Sequence, residues 1–183
     1  IEHLAALRAM PNMRVFRPAD AVETAVCWEM CLNHKNGPSV LALSRQNVPS
    51  LSIANPDDIR RGAYIVNETP NPRVVICATG TEVDVAVQTA KILTEVHHIP
   101  TRVVSIPSFE VFRSQPESYK SALIPRACHR VGIEAAVRQG WDEVIGSDGL
   151  FLGLSTFGAS GKAKDVYAHF HLTPDEISKK ILK

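Results

Sequence analysis

The chain has 183 residues, of which 45% are hydrophobic and 21% charged, with a formal net charge of +1. That is apolar material for one domain with a sizeable core, or for one domain and part of another, and it excludes a disordered chain. With no basic stripe or block of like charge, nucleic acid and anionic membrane surfaces are not expected partners, and no apolar run approaches the ~20 residues that span a bilayer.

The chain opens on Ile1 inside an uncapped helical pattern, IEHLAALRAM, which reads as an interior stretch of a longer protein. Residues 12–16 (NMRVF) are predicted as a short strand. Asp20 and Glu23 then form a capping box for a helix running to about Leu32. Val22, Val26 and Met30 line its inward face, with Ala25, Trp28 and Leu32 beside them. Asn36-Gly37-Pro38 stops it, and residues 39–44 (SVLALS) read as a strand buried on both faces. Residues 45–72 carry Pro49, Pro56, Pro70 and Pro72 with little periodicity, the pattern of a connection between two domains.

A second unit begins at Arg73. Residues 74–80 (VVICATG) are predicted as a buried strand ending at a glycine, and 81–96 as an amphipathic helix with Val83, Ala86, Val87, Ala90 and Leu93 at helical spacing. Thr81 and Asp84 resemble its cap. A strand at 101–108, a helical region at 109–123 and a third strand at 129–136 follow. Gly146, Gly149 and Gly153 mark a loop-rich stretch that leads to a further helix. Thr173-Pro174-Asp175-Glu176 starts a last one, with Ile177, Ile181 and Leu182 facing inward. Alternation of strand and helix in both units predicts an α/β fold: mostly parallel sheets with helices on both faces, three layers in all.

Short motifs carry little. Gly80-Thr81 joins a strand to a helix start, where backbone N–H groups can cradle a phosphate, but G-x-G-x-x-G is absent and one glycine there is chiefly backbone geometry. Gly161-Lys162 fails as a phosphate loop, because Thr156 stands for the first glycine and Ala163 for the Ser or Thr that holds magnesium. His169 and His171, and the pair His97-His98, lack companions at ligand spacing and close helices where a histidine is favourable anyway. Cys27, Cys31, Cys77 and Cys128 form no C-x-x-C and read as buried, reduced thiols of a cytosolic protein. Glu134, in a buried strand, is expected to have a structural hydrogen-bonded partner. Arg45 follows the strand at 39–44 directly, at its carboxyl end, where open α/β sheets bind ligands and where an arginine fork can hold a phosphate or carboxylate. A surface ion pair is the plainer alternative for it.

LRAMPNMRVFRPADAVETAVCWE, GPSVLALSRQNVP, RRGAYIV, VVICATGTEVDVAVQTAK, TRVVSIPS and LSTFGASGKA resemble the transketolase family, and the resemblance runs unbroken from Ile1 to Lys183. It implies that residues 1–50 are the end of a pyrimidine-binding domain, 51–72 an interdomain linker and 73–183 the C-terminal α/β domain. It also implies two-carbon ketol transfer between sugar phosphates in the pentose phosphate pathway. The whole cytoplasmic homodimer would use thiamine diphosphate and Mg²⁺ or Ca²⁺. Arg45 matches the arginine of the family's SRQN string and is thereby expected to bind the sugar phosphate. No catalytic, cofactor or metal residue is carried over, so this stretch alone is expected to be inactive. A free-standing assembly module, the C-terminal subunit of a split transketolase and a related thiamine-diphosphate enzyme stand as alternatives.

Overall fold

The computed structural model describes residues 1–51 and 55–183. Part of the expected connection, residues 52–54, therefore lies outside the described residues.

A short helix α1 (His3–Arg8) leads into strand β1 (Arg14–Phe16). Helix α2 (Ala21–Asn33) follows, then strand β2 (Ser39–Leu41), parallel to β1 with Phe16 opposite Leu41. Asp20 caps α2 as expected, its carboxylate accepting from Glu23 N at 2.9 Å. The Glu23 side chain reaches past Asp20 to the N–H of Ala19 at 2.7 Å, a capping box displaced by one residue. On α2 the inward face is narrower than expected. Val26 and Cys27 are buried, whereas Ala25 is exposed, Trp28 is 50% exposed and Leu32 65%. The run 39–44 also departs from a strand buried on both faces. Its ladder stops at Leu41, all three rungs are only half-buried and Leu43 is 53% exposed, because β1 is the one strand paired with it among the described residues.

Helix α3 (Pro56–Ile59) and strand β3 (Tyr64–Asn67) occupy the stretch expected to be connection. Residues 51–72 are thus not all linker: β3 pairs antiparallel with a later strand, Tyr64 opposite Ser105. The rest alternates as expected. Strand β4 (Val74–Ala78), helix α4 (Glu82–Glu95), strand β5 (Thr101–Ser105), helices α5 (Phe109–Arg113) and α6 (Glu117–Leu123) and strand β6 (His129–Ile133) come first. Helix α7 (Asp142–Ile145), strand β7 (Leu150–Leu152) and helices α8 (Ala163–His169) and α9 (Pro174–Ile181) complete the chain. The helical region expected at 109–123 consists of two helices, because Pro116 cannot continue an α-helical hydrogen-bond ladder. Strands 101–108 and 129–136 end at Ser105 and Ile133. Leu182 is 41% exposed instead of facing inward with Ile177.

The sheet runs β3-β5-β4-β6-β7, parallel except at the β3 edge. Successive residues of β4 point to opposite faces and so build two cores. Val74, Ile76 and Ala78 pack with Val83, Ala86, Ala90 and Leu93 of α4 and Ile177 of α9. Val75 and Cys77 pack with Phe109, Phe112, Leu123, Trp141 and Ile145 on the other face. Gly132 of β6 makes room for Trp141, since a Cβ there would meet its Cε3 at 2.7 Å. Gly132→Ala is expected to lower stability by about 1–3 kcal/mol through overpacking. Urea denaturation checks this, and an unchanged midpoint would contradict the packing.

Candidate functional site

Helices α4 and α5 leave β4 and β5 so that the chain crosses back over β4 to form β6. The carboxyl ends of β4 and β6 therefore lie side by side at a topological switch point, the usual ligand crevice of an open α/β sheet. Here that crevice is filled by the chain's own N-terminal part. Arg17, just after β1, lies across Gly80, whose φ of 54° and missing Cβ leave space for it. The Gly80 N–H donates to Arg17 O at 3.0 Å, so the strand-to-helix turn cradles backbone and guanidinium, not an anion.

The Arg17 guanidinium donates to Thr79 Oγ1 at 2.6 Å, to Thr79 O at 3.0 Å and to Glu82, and stands 3.7 Å from Glu134. Arg8, stacked over Phe109 at 4.0 Å, donates through both terminal nitrogens to the Glu134 carboxylate at 2.8 Å each. Thr79 and the Trp141 indole N–H supply two more donors to Glu134, at 2.5 and 2.9 Å. Both carboxylates are fully buried. Burial alone would raise the Glu134 pKa, but the Arg8 hydrogen bonds and charge, with the Arg17 charge and the Thr79 bond, outweigh it and hold it at about 2. Tyr167 of α8 donates to Glu82 and shares a hydrogen bond with Thr81. Burial, the Glu82 charge and that donated bond push its phenol up. Thr81 spends its hydroxyl there and caps no helix, contrary to the expected cap. Glu134 has the structural partners expected of it. Arg8, Arg17, Glu82 and Tyr167 carry no local sequence signal.

A second buried carboxylate, Glu23, ties α2 to the second sheet. It accepts from Tyr64 OH at 2.8 Å and Ser105 Oγ at 2.5 Å, besides the Ala19 N–H. Burial raises its pKa despite these three donors.

Arg45 lies past the end of β2, exposed, with no ion pair or hydrogen bond among the described residues. The surface-ion-pair alternative finds no partner there. Arg45 and Gln46 line an open groove of about 650 Å³ together with Ala159, Ser160, Gly161 and Tyr167. Gly161 and Lys162 are exposed and follow no strand directly. His171 is bound to Glu176 at 2.7 Å, and His169 packs edge-on against Phe170. All four cysteines are free. Cys27 and Cys77 are buried, with thiol pKa values pushed up chiefly by burial, and Cys31 and Cys128 are half-buried. With Ellman's reagent, Cys31 and Cys128 are expected to react in the folded chain, and Cys27 and Cys77 only after urea. Four equally fast thiols would contradict the packing.

Fold and site together define a parallel α/β unit joined to a preceding α/β segment, with the unit's own switch point closed by that segment's arginines and the exposed arginine lying on the segment itself. The family described as transketolase-like C-terminal domain matches residues 62–173, and the transketolase pyrimidine-binding domain matches residues 1–50. The transketolase of Sinorhizobium medicae is 48% identical over 180 residues, covering 97% of this chain and 26% of that protein. The structure of transketolase from Leishmania mexicana superposes with a TM-score of 0.91 at 40% identity, over 98% of this chain and 26% of that one. The Pichia stipitis transketolase complex with sedoheptulose-7-phosphate gives 0.93 at 35%, over 100% and 26%. The chain belongs to the transketolase family, and spans about a quarter of the length of these relatives.

Proposed function

We propose that these residues are part of a transketolase that moves a two-carbon ketol unit from a ketose phosphate to an aldose phosphate, in the cytoplasm, as a homodimer, within the pentose phosphate pathway. Their contribution is Arg45, which holds the substrate phosphate, on a scaffold locked by the Arg8–Glu134–Arg17–Glu82 network. The observation that carries this is an arginine beyond a strand's carboxyl end, exposed to an open groove and unpaired among the described residues. An arginine with no partner among the described residues is free to make two parallel hydrogen bonds to a phosphate.

Family membership implies thiamine diphosphate and a divalent metal in the whole enzyme. When bound, the cofactor supplies the electron sink for carbon–carbon cleavage. The described residues do not fit the metal–diphosphate group. Among them no three His, Cys, Asp or Glu side chains come together where they would hold a metal ion. The buried carboxylates Glu23, Glu82 and Glu134 are each taken up by donors of this chain. Those ligands would come from outside these residues, so the 183 residues alone are expected to catalyse no transfer.

The test is Arg45→Ala in the intact enzyme, with kcat/KM measured on a phosphorylated donor sugar and on its unphosphorylated counterpart. A selective loss on the phosphorylated sugar is expected. An equal effect on both would overturn the role.

A further inference from the structure

We propose that Asn36 is a site of spontaneous deamidation, and that its isoaspartyl product loosens the pairing of β1 with β2. This is independent of the role of Arg45.

Asn36 is the only asparagine of the sequence followed by glycine. In this chemistry the backbone nitrogen of the next residue attacks the asparagine Cγ. An N–Cγ bond forms, the Cγ–Nδ2 bond breaks, and ammonia leaves with the proton of the attacking N–H. Water then opens the cyclic imide at either carbonyl. The product is aspartate or isoaspartate, and isoaspartate carries the extra side-chain carbon in the main chain. The step needs a free carboxamide, an N–H without an acceptor, and a following residue that does not shield its nitrogen.

The three conditions meet at Asn36. It lies in the bend between α2 and β2 and is exposed. Its carboxamide and the Gly37 N–H make no hydrogen bond among the described residues. Glycine has no Cβ to shield its nitrogen and adopts the backbone conformations that ring closure requires. The other asparagines each lack a condition. Asn55 and Asn71 precede prolines, which have no N–H. The N–H groups of Met13 and His34, which follow Asn12 and Asn33, donate to Met10 O at 3.3 Å and Cys31 O at 3.2 Å. Asn47 precedes the β-branched Val48, and Asn67 lies in β3.

Asp148-Gly149 can form the same imide by losing water, and the fold blocks it. The Asp148 carboxylate accepts from Arg130 at 2.6 and 2.8 Å, and the Gly149 N–H donates to Gly146 O at 3.2 Å. The carbon to be attacked is held in an anion, and the attacking nitrogen is occupied.

Packing imposes glycine at 37, because a Cβ there would stand 2.2 Å from Asn12 O. The same close approach makes the product disruptive. Pro38 O accepts from Arg14 N at 3.0 Å, next to the rung that sets Arg14 opposite Ser39. A longer main chain at 36 pushes Gly37 away from Asn12 or Pro38 away from Arg14.

The experiment ages the intact enzyme in mildly alkaline buffer made with heavy-oxygen water. Fragmentation mass spectrometry of its digest then places the incorporated label by residue. Asn36 is expected to convert before any other asparagine, at a rate within about tenfold of the free peptide 33–41, since an exposed bend opens at little cost. Asp148 is expected to isomerise more than about tenfold more slowly than in its own free peptide. Asn36→Gln is expected to abolish label at 36 and leave the circular dichroism unchanged, because the side chain is exposed and unbonded. In the converted fraction, amides at 39–41 are expected to exchange hydrogen more than about threefold faster than in the fresh protein. Earlier conversion of another asparagine, or a rate at Asn36 more than about tenfold below that of the peptide, would overturn the site. Equal rates for Asp148 in the fold and in its peptide would overturn the selection by structure. Unchanged exchange at 39–41 would overturn the loosening and leave the site standing.

Discussion

Glu134→Ala is expected to destabilise the chain by about 3–5 kcal/mol, the range for removing one partner of a buried ion pair. The carboxylate is wholly buried, and its two arginines are 7% and 14% exposed. Its loss leaves the Arg8 guanidinium over Phe109 without a counter-charge and orphans the Trp141 N–H. Arg17 suffers less, because Glu82 remains beside it. Against a usual total of about 5–15 kcal/mol, the loss is a large fraction of stability, and about 4 kcal/mol corresponds to a fall in Tm of roughly 8–16 °C for a chain of this size. Urea denaturation of the 183-residue chain measures it, and a loss below about 1 kcal/mol would show that the network does not hold the two parts together. Arg8→Ala in the same background separates charge from packing. If the arginine and carboxylate act as a pair, the double variant loses less than the sum of the singles by more than about 0.5 kcal/mol.

The same group sets part of the acid limb. Its folded pKa of about 2 lies below the ordinary carboxylate value of 4.5, so it contributes stability above pH about 4.5 that is lost as pH falls toward about 2. Glu23 works in the opposite sense. Its folded pKa is raised, so its contribution is present below about 4.5 and is lost as pH rises through the folded value. The gap in stability between the wild type and Glu134→Gln should therefore shrink between pH 4.5 and about 2. A gap that stays constant across that window would mean that Glu134 is not ionised in the fold.

What is legible in the sequence is what local pattern determines. The β4 run VVICA is continuous because both faces of that strand are covered, and α4 shows its inward stripe because one face packs on the sheet. β3 is hidden because Tyr64–Asn67 is a short edge strand in a stretch punctuated by prolines, and an edge strand shows no continuous apolar run. Trp28 and Leu32 mislead because helical periodicity reports which residues could share a face, not whether anything covers it. The buried network is illegible for a different reason. Arg8 and Glu134 are separated by 126 positions, Arg17 and Glu82 by 65. No window contains either pair, and an isolated arginine or glutamate is more often a solvated charge. The place of Arg45 beyond a strand is a local feature, though the strand stops at Leu41 and not directly before it, and its role rests on the proposal above.

Arg45→Ala is expected to reduce kcat/KM on a phosphorylated donor about 10- to 100-fold in the intact enzyme, the equivalent of about 1.5–3 kcal/mol for hydrogen bonds to a charged group. On the unphosphorylated sugar the change should stay within about threefold, since the guanidinium then has no phosphate to hold. The division between KM and kcat carries further information. The phosphate is remote from the bond that breaks, so binding energy held equally in ground and transition states appears in KM, while energy spent on orienting the reacting carbons appears in kcat. Arg45→Lys separates charge from geometry, because lysine keeps the positive charge and loses the planar fork. Recovery of most of the activity by lysine would mean that charge dominates. Recovery of little would mean that two parallel hydrogen bonds fix the substrate's orientation. The groove is open to solvent, so the charge part is screened by salt, with a Debye length of about 8 Å at roughly 0.15 M. The wild-type preference for phosphorylated sugars should therefore narrow with added chloride. The Arg45→Lys variant should narrow more steeply than the wild type, because it relies on charge alone.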